Sequence, residues 1–403
     1  MLRIIVFLLS GFCSLSWADT TAHFDIQAYI IEQPVDHDNP TGSVFNQHYY
    51  VLTPTGLTSS SKIDVMYILG NENDATKQRL VKIYEAYGSP SNLVFVLAEH
   101  RGYGESVYGD SQQKPIYISM DAAAADSHRI IEQIRSQYAG KLIINGCSYG
   151  GSLVIRYAHL YPESYDVVIS SSAVLRYPFI NSTYADKLNE TLDPEVLARL
   201  AEHIQTLYMK RNDPEYVRQM ELIHTLIMGI AQVGPMDYLN SVAKYISYLP
   251  TSALVYILDV LLPPAAHNWA NGQSSFVVPS TPQTRNWYTW KYQQCYQTGT
   301  FMVGYPFSMT KSDYMQRCQQ SFGELPPYAD EPMLDLTDDL RSITKPVIII
   351  AGEQDPWINL GVKPEHDFTN IQYLYGEQWH HCPDKDTPDA SEAVRQALSV
   401  YLN

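Results

Sequence analysis

A serine with a glycine two residues before it and another two residues after it is the first feature of this 403-residue chain that could do chemistry. Ser148 lies in the string Gly146-Cys147-Ser148-Tyr149-Gly150-Gly151, which follows an apolar run, Leu142 to Asn145, and precedes a helix-like stretch. A sharp strand-to-helix turn needs small residues beside the serine, and it holds the serine oxygen out from the sheet. Ser148 is therefore predicted to be a nucleophile, with the amide of Tyr149 facing an oxyanion. The alternative is an ordinary glycine-rich turn.

A serine hydroxyl needs a base, and the base needs an acid that orients it. Asp355 follows the apolar run Val347 to Ala351, and the pair His380-His381 follows the run Ile371 to Tyr375. An acid and a histidine placed after later strands, in the chain order Ser, Asp, His, are typical of serine hydrolases built on open α/β sheets. Spacing does not separate His380 from His381, and an Asp before a proline could also be a turn residue.

The elements that would position these residues are short apolar runs separated by amphipathic stretches. Such runs indicate buried parallel strands with crossover helices, which is an α/β fold. The runs are Val65 to Leu69, Leu93 to Ala98, Leu142 to Asn145, Val167 to Ser170, Val347 to Ala351 and Ile371 to Tyr375. This rhythm is lost in the middle of the chain. We therefore predict an α/β domain over residues 19–176 and 341–403, with a mainly helical insertion at 177–340.

Several further strings match one known family. They are Gln33-Pro34-Val35-Asp36-His37, Phe45-Asn46-Gln47, Gly70-Asn71-Glu72, Glu99-His100-Arg101-Gly102-Tyr103-Gly104-Glu105-Ser106, Trp290-Lys291-Tyr292-Gln293-Gln294-Cys295, Asp355-Pro356-Trp357 and His380-His381. With the serine string, they occur in the family's order over most of the chain. The chain resembles the S28 family of serine peptidases, which contains prolyl carboxypeptidase and dipeptidyl peptidase II.

The resemblance implies an α/β-hydrolase fold with an inserted, mainly helical cap. It also implies that Ser148 is the nucleophile, Asp355 the orienting acid and His380 the base. The family uses the first histidine of its pair, which is the reason for preferring His380 to His381.

A second oxyanion donor is expected from the loop after Val65 to Leu69. Asn71 and Glu72 are the candidates there, for the oxyanion or for substrate binding, although the two could form a plain turn. Family members cleave after proline and release either one C-terminal residue or an N-terminal dipeptide. The resemblance therefore implies an exopeptidase of short peptides at proline-containing bonds. An aminopeptidase mode needs a carboxylate for the substrate ammonium, with Glu72 or Glu99 as candidates.

Other activities and pocket residues stay open. An esterase or lipase could use the same triad, and a catalytically silent binding protein is a further alternative. Trp290, Tyr292 and Trp357 could line a proline pocket or simply belong to the core. Gln297 departs from the family, which commonly has Glu at that place, so catalysis transfers more safely than specificity.

The cysteines are the remaining reactive groups. Cys295 and Cys318 have similar surroundings and would close a short loop, so we predict a disulfide between them and expect Cys147 and Cys382 to be free. Both of the latter depart from the family pattern. Cys147 stands in its G-G-S-Y-G-G string, and Cys382 in place of the leucine of its H-H-L-D-L string. No spacing predicts a metal site, and no cofactor is implied.

The N-terminus and the overall charge concern location and partners. Arg3 precedes the apolar run Ile4 to Leu9, and Ser16-Trp17-Ala18 ends on small residues, a pattern typical of a signal peptide cleaved after Ala18. We expect an exported protein, periplasmic or secreted, without a stable membrane anchor, because a spanning helix needs roughly 20 apolar residues. A net charge of -16 makes nucleic acid a poor partner. Short peptides are the expected partners, and the oligomeric state is open.

Overall fold

The computed structural model describes residues 23–57, 62–109, 115, 117–191, 193–210, 219–220, 222–224, 227–228, 231–232, 244–245, 247–261, 282–327, 332–363 and 370–402. The predicted signal peptide, residues 1–18, lies outside the described residues.

The described residues contain a set of strands that meet in one large sheet and two small ones. They are β1 Phe24–Pro34, β2 Val44–Pro54, β3 Asp64–Ile68, β4 Leu93–Ala98, β5 Leu142–Cys147, β6 Val167–Ser171, β7 Arg176–Tyr177, β8 Ile180–Asn181, β9 Phe301–Met302, β10 Leu334–Asp335, β11 Val347–Gly352 and β12 Ile371–Gly376. The large sheet has the order β1-β2-β4-β3-β5-β6-β11-β12. β1 and β2 form an antiparallel hairpin that pairs antiparallel with β4, and the pairs from β4 to β12 are parallel. This is the α/β-hydrolase fold.

Helices accompany the sheet. They are α1 Lys77–Ala86, α2 Met120–Gln137, α3 Tyr149–Leu160, α4 Thr183–Thr191, α5 Pro194–Tyr208, α6 Thr251–Leu261, α7 Pro282–Gln293, α8 Lys311–Phe322, α9 Thr337–Ser342 and α10 Pro388–Ser399, with a π-helical turn at Gln294–Thr298 and 3₁₀ turns at Ile358–Leu360 and Pro383–Lys385.

The central strands are mainly apolar because helices cover both faces of the sheet. Every residue of β4 is buried. Val94 and Val96 belong to a core with residues of α2 and α3, whereas Phe95 and Leu97 belong to a second core with residues of α1 and α10. The alternation of side chains along one strand thus divides the protein interior into two layers.

The chain between β6 and β11 leaves the sheet and returns to it. β7 pairs antiparallel with β10, so that Tyr177 lies opposite Leu334 and Arg176 opposite Asp335. Between these two strands the described chain is mainly helical.

A buried arginine joins the hairpin to the body of the sheet. The guanidinium of Arg101 donates to both carboxylate oxygens of Asp126, at 2.6 and 2.5 Å, and to the carbonyls of Pro34 and Val35. Both charged side chains are fully buried, so the charge of each one is compensated by the charge of the other. Two of the matched sequence strings, around Gln33 and Arg101, therefore serve this connection.

None of the helices in the described ranges is long and apolar enough to cross a membrane.

Candidate active site

The turn that carries Ser148 joins β5 directly to α3. Ser148 has φ 59° and ψ -130°, a backbone conformation that costs energy for a residue other than glycine. The glycines around it leave no room for a side chain: a Cβ on Gly146 would lie 2.1 Å from the carbonyl oxygen of Gly150, and one on Gly151 would lie 2.7 Å from that of Ser171. The Ser148 side chain makes no capping hydrogen bond to α3. Its hydroxyl is therefore available for chemistry.

The acid and the base follow the last two strands of the sheet. Asp355 lies after β11 and is buried, and its Oδ1 accepts from the backbone amide of Trp357 at 2.9 Å. Nδ1 of His381, after β12, lies 3.0 Å from Oδ1 and 2.9 Å from Oδ2 of Asp355. A proton on Nδ1 satisfies the carboxylate and leaves Nε2 as the basic nitrogen. Among the described residues, Nε2 of His381 is buried and has no hydrogen-bond partner.

The prediction that His380 pairs with Asp355 is wrong. Nδ1 of His380 lies 3.2 Å from the carbonyl oxygen of His381, and its Nε2 lies 3.2 Å from Oγ1 of Thr387 and 3.5 Å from a carboxylate oxygen of Asp386. The ring thus faces the segment that leads into α10. Neighbouring side chains on an irregular loop point in different directions, and here the second histidine points to the acid.

The loops that follow β11 and β12 are bonded to each other. The amide of Gln354 donates to the carbonyl of Trp379 at 2.9 Å. A Cβ on Gly352 would lie 2.1 Å from that same oxygen, so only glycine permits the approach. The indole nitrogen of Trp379 in turn donates to Asp389 of α10 at 2.8 Å. These contacts hold the loop after β12, which carries His380 and His381 and which we call the histidine loop, against the loop that carries Asp355.

Two disulfides are present in the described chain, and only one was expected. Cys295 and Cys318 are joined, with their Cα atoms 5.6 Å apart, which confirms that prediction. Cys147 and Cys382 are also joined, with their Cα atoms 5.8 Å apart, so the expectation that both are free is wrong. The carboxyl-terminal ends of the parallel strands β5 and β12 lie on the same side of the sheet. The large sequence separation of the two cysteines gives no indication of this proximity. One nitrogen of His381 and the two sulfurs lie within 4.8 Å of one another, but sulfurs in a disulfide are not metal ligands.

Tyr149 begins α3, so its backbone amide lies at the positive end of the helix dipole. Its side chain is buried, and burial raises the pKa of the phenol well above its ordinary value. The hydroxyl accepts from Nε2 of Gln293 at 3.1 Å and lies 3.2 Å from Nε2 of His100. The side chain of Tyr149 therefore stabilises the turn that carries Ser148, residues 146–151, which we call the elbow. Its backbone amide is the part suited to an oxyanion.

Asn71 and Glu72 follow β3 and lie beside this elbow. A Cβ on Gly150 would lie 3.4 Å from the Cβ of Asn71. Oδ1 of Asn71 and Oε2 of Glu72 are buried without a hydrogen-bond partner among the described residues. Burial raises the pKa of the Glu72 carboxyl, and the charges of Arg79, His381 and Lys385 act in the opposite direction. The structure thus places both predicted residues at the site.

Both carboxylate oxygens of Glu99 accept hydrogen bonds from the protein. Oε1 accepts from the amide of Ala75, and Oε2 accepts from the amides of Glu105 and Ser106 and from the Ser106 hydroxyl, at 2.7 to 3.1 Å. Burial raises the pKa of the Glu99 carboxyl, and these donors offset only part of the rise. Glu99 is therefore a structural carboxylate that connects its own loop to the loop before α1.

Sequence reasoning missed two residues that support the elbow. Gln293 bonds both Tyr149 and the hydroxyl of Tyr103, and burial lowers the pKa of His100 to about 4, so this imidazole is neutral at pH 7. Both residues belong to strings that the family resemblance had already marked. Their presence there was the signal, although no role could be read from it.

The aromatic candidates divide between the elbow and the core. The ring of Trp290 meets that of Tyr149 edge-on, with the centroids 5.9 Å apart. Trp357 packs edge-on against Tyr184 at 5.0 Å, next to Asp355. Tyr292 instead packs against Tyr296 and Phe322, in the cluster around the Cys295–Cys318 disulfide.

Residues 33–202 match the model of the family described as serine carboxypeptidase S28. The resemblance to the S28 family is confirmed. This match contains the serine elbow but ends before Asp355 and His381, which the geometry alone brings together. The chain is a serine hydrolase.

The similar solved structures have low sequence identity to this chain. An esterase from Thermogutta terrifontis is 14% identical, with 93% of this chain and 97% of that one covered and a TM-score of 0.42. The corresponding values are 14%, 93%, 97% and 0.48 for a protein named VinJ, and 11%, 100%, 89% and 0.44 for an esterase from Pseudomonas putida. Similarity at this level carries no conclusion about substrate. No curated protein sequence matches the chain significantly.

Proposed function

We propose that this chain is an exported serine exopeptidase that hydrolyses short peptides at proline-containing bonds. Ser148 attacks the scissile carbonyl, Nε2 of His381 takes the serine proton and returns it to the leaving amine, and water then hydrolyses the acyl-enzyme. The observation that carries the proposal is the buried pair of Asp355 and His381, with Nδ1 2.9 Å from Oδ2. The pair lies at the carboxyl-terminal ends of the parallel strands, where Ser148 also lies. The S28 match supports a peptide substrate.

The oxyanion of the tetrahedral intermediate is assigned to two backbone groups. The amide of Tyr149 at the start of α3 is the first donor, and the second comes from the loop of Asn71 and Glu72 after β3. Donors held rigidly at the developing charge lower the barrier by about 3 to 4 kcal/mol each. The glycine contacts and the tyrosine network described above supply that rigidity.

The carboxylates favour recognition of a free substrate N-terminus. Of the two candidates for an ammonium partner, Glu99 accepts hydrogen bonds at both oxygens, from Ala75 and from its own loop, whereas Oε2 of Glu72 accepts no hydrogen bond among the described residues. Glu72 is therefore the residue assigned to this subsite. The Glu72→Gln variant should raise KM by about tenfold for peptides with a free N-terminus and leave N-acetylated peptides unaffected, because only the former lose an ion pair. An equal change for both peptide sets would contradict the assignment.

One experiment tests the proposed reaction. The mature protein is incubated with a fluorophosphonate probe and then, unlabelled, with X-Pro-Y peptides blocked at either end and with simple esters. We expect the probe on Ser148, no label on the Ser148→Ala variant, and a higher kcat/KM for the peptides than for the esters. Absence of label would exclude a serine hydrolase, and turnover of esters alone would exclude a peptidase in favour of an esterase or lipase.

Export is part of the proposal and has its own test. Cells that express the full chain should contain the protein outside the cytoplasm with Asp19 as its first residue. N-terminal sequencing of fractionated cells measures this, and a chain retained in the cytoplasm with Met1 would contradict it.

A further inference from the structure

The Cys147–Cys382 disulfide connects the two catalytic segments. Cys147 is the last residue of β5 and immediately precedes Ser148, while Cys382 immediately follows His381. The bond spans 235 residues of sequence. We propose that this disulfide is a positioning element that holds His381 over Ser148, so that catalysis depends on its oxidised state. The proposal rests on the triad of the proposed function.

The disulfide restrains the histidine loop at the residue that follows the base. Cys382 has φ 56° and ψ 50°, the left-handed region that residues other than glycine rarely adopt. Besides the disulfide, its backbone amide donates to Oγ of Ser172 at 2.9 Å. Nδ1 of His381 is held by Asp355, but a ring held at one nitrogen can still tilt about that contact. The bond at the next residue restricts the backbone from which the ring projects.

The elbow end of the bond is rigid. Cys147 is 2% exposed and its backbone belongs to β5, which is paired with β6 at this residue. Ser148 is fixed by the elbow contacts. A restraint between Cys147 and Cys382 is therefore a restraint on the loop, and it acts on the distance from Nε2 of His381 to the Ser148 hydroxyl.

The two cysteines that depart from the family strings have a common explanation in this bond. The elbow has Cys147 where the family string has glycine, and the histidine string has Cys382 where the family has leucine. Each substitution alone would place a thiol beside a catalytic residue. Because the two side chains meet, they form one crosslink instead.

The second disulfide provides a matched control. Cys295 and Cys318 are both fully buried in a cluster of aromatic residues that includes Phe179, Phe301 and Phe322, with a separation of 23 residues. No triad residue belongs to this cluster. Its loss should affect stability without changing the geometry of the base.

Reduction supplies the reversible arm of the test. A dithiol such as dithiothreitol gives two electrons and two protons to the bond, which becomes two cysteine thiols while the reagent becomes its own cyclic disulfide. The reduced Cys147, Cys382 and His381 would form a donor set for an adventitious divalent metal ion, so EDTA is present throughout.

The rate of fluorophosphonate labelling and kcat are measured on the full mature chain, well below the unfolding temperature of each form. Four proteins are compared: wild type, Cys295→Ser/Cys318→Ser, Cys147→Ala and Cys147→Ala/Cys382→Ala. Thiol counting by mass spectrometry establishes the redox state of each. Circular dichroism establishes that each sample is folded.

Reduction should lower kcat and the labelling rate of wild type and of the Cys295→Ser/Cys318→Ser protein by about 10- to 100-fold, because a displacement near 1 Å costs that much. KM should change little, and reoxidation with oxidised glutathione should restore the rate. The single and double variants at Cys147 and Cys382 should be equally slow and insensitive to the dithiol. If the variants do not fold, the reduction and reoxidation of the Cys295→Ser/Cys318→Ser protein decides alone.

Labelling of the reduced protein at the rate of the oxidised one would overturn the positioning role and leave the proposed function intact. Full activity of untreated protein with free thiols at Cys147 and Cys382 would do the same. No labelling of oxidised wild type would overturn both.

Discussion

Nδ1 of His381 lies 2.9 Å from Oδ2 of Asp355, and both side chains are buried. This pair sets the direction of proton transfer, because a hydrogen on Nδ1 leaves the lone pair of Nε2 free to take the proton of Ser148. The carboxylate is itself oriented by the amide of Trp357.

Replacement of the acid should separate orientation from binding. The Asp355→Asn variant keeps the size of the side chain, but its amide can donate to Nδ1 and so favours the wrong tautomer of His381. We expect kcat to fall by about 10⁴-fold with little change in KM. Steady-state kinetics on an X-Pro-Y peptide measures both values. A fall of less than about tenfold would show that the carboxylate does not orient the base.

Acid should destabilise the fold through His100. Burial lowers its pKa from 6.5 to about 4, so the unfolded chain binds a proton between these values while the folded chain does not. Stability is therefore lost as pH falls from about 6.5 to 4, by about 3 kcal/mol from this residue. Urea unfolding at several pH values measures the loss. The His100→Gln variant is the control, and its stability should fall less over the same window, whereas a parallel fall would contradict the prediction.

The two disulfides should differ in their contribution to stability. In the chain-entropy model a crosslink over 235 residues contributes roughly 5 kcal/mol, and one over 23 residues roughly 3 kcal/mol. The Cys147→Ala/Cys382→Ala variant should therefore unfold at lower urea concentration than Cys295→Ser/Cys318→Ser. The reverse order would show that packing around Cys295 outweighs the loop entropy.

The strands could be predicted because continuous burial leaves a plain apolar pattern. Val65 to Leu69, Leu93 to Ala98 and Leu142 to Asn145 correspond to β3, β4 and β5. Their order in the sheet has no such local signal, and β4 lies between β2 and β3.

The site was predictable in its residue types and chain order, but not in its fine geometry. His380 and His381 have the same chemistry and adjacent positions, so only the course of the loop after β12 distinguishes them. Cys147 and Cys382 are 235 residues apart, and their pairing follows from two strand ends that meet at one edge of the sheet. Both errors concern contacts between distant segments, which neither composition nor local spacing encodes.

The rate of fluorophosphonate labelling of Ser148 in the His380→Ala and His381→Ala variants shows directly which histidine is the base. With the labelled peptide identified by mass spectrometry, we predict that His381→Ala lowers the rate by about 10⁴-fold or more and that His380→Ala stays within about tenfold of wild type. Loss of labelling in His380→Ala with near-normal labelling in His381→Ala would contradict the assignment of His381 as the base.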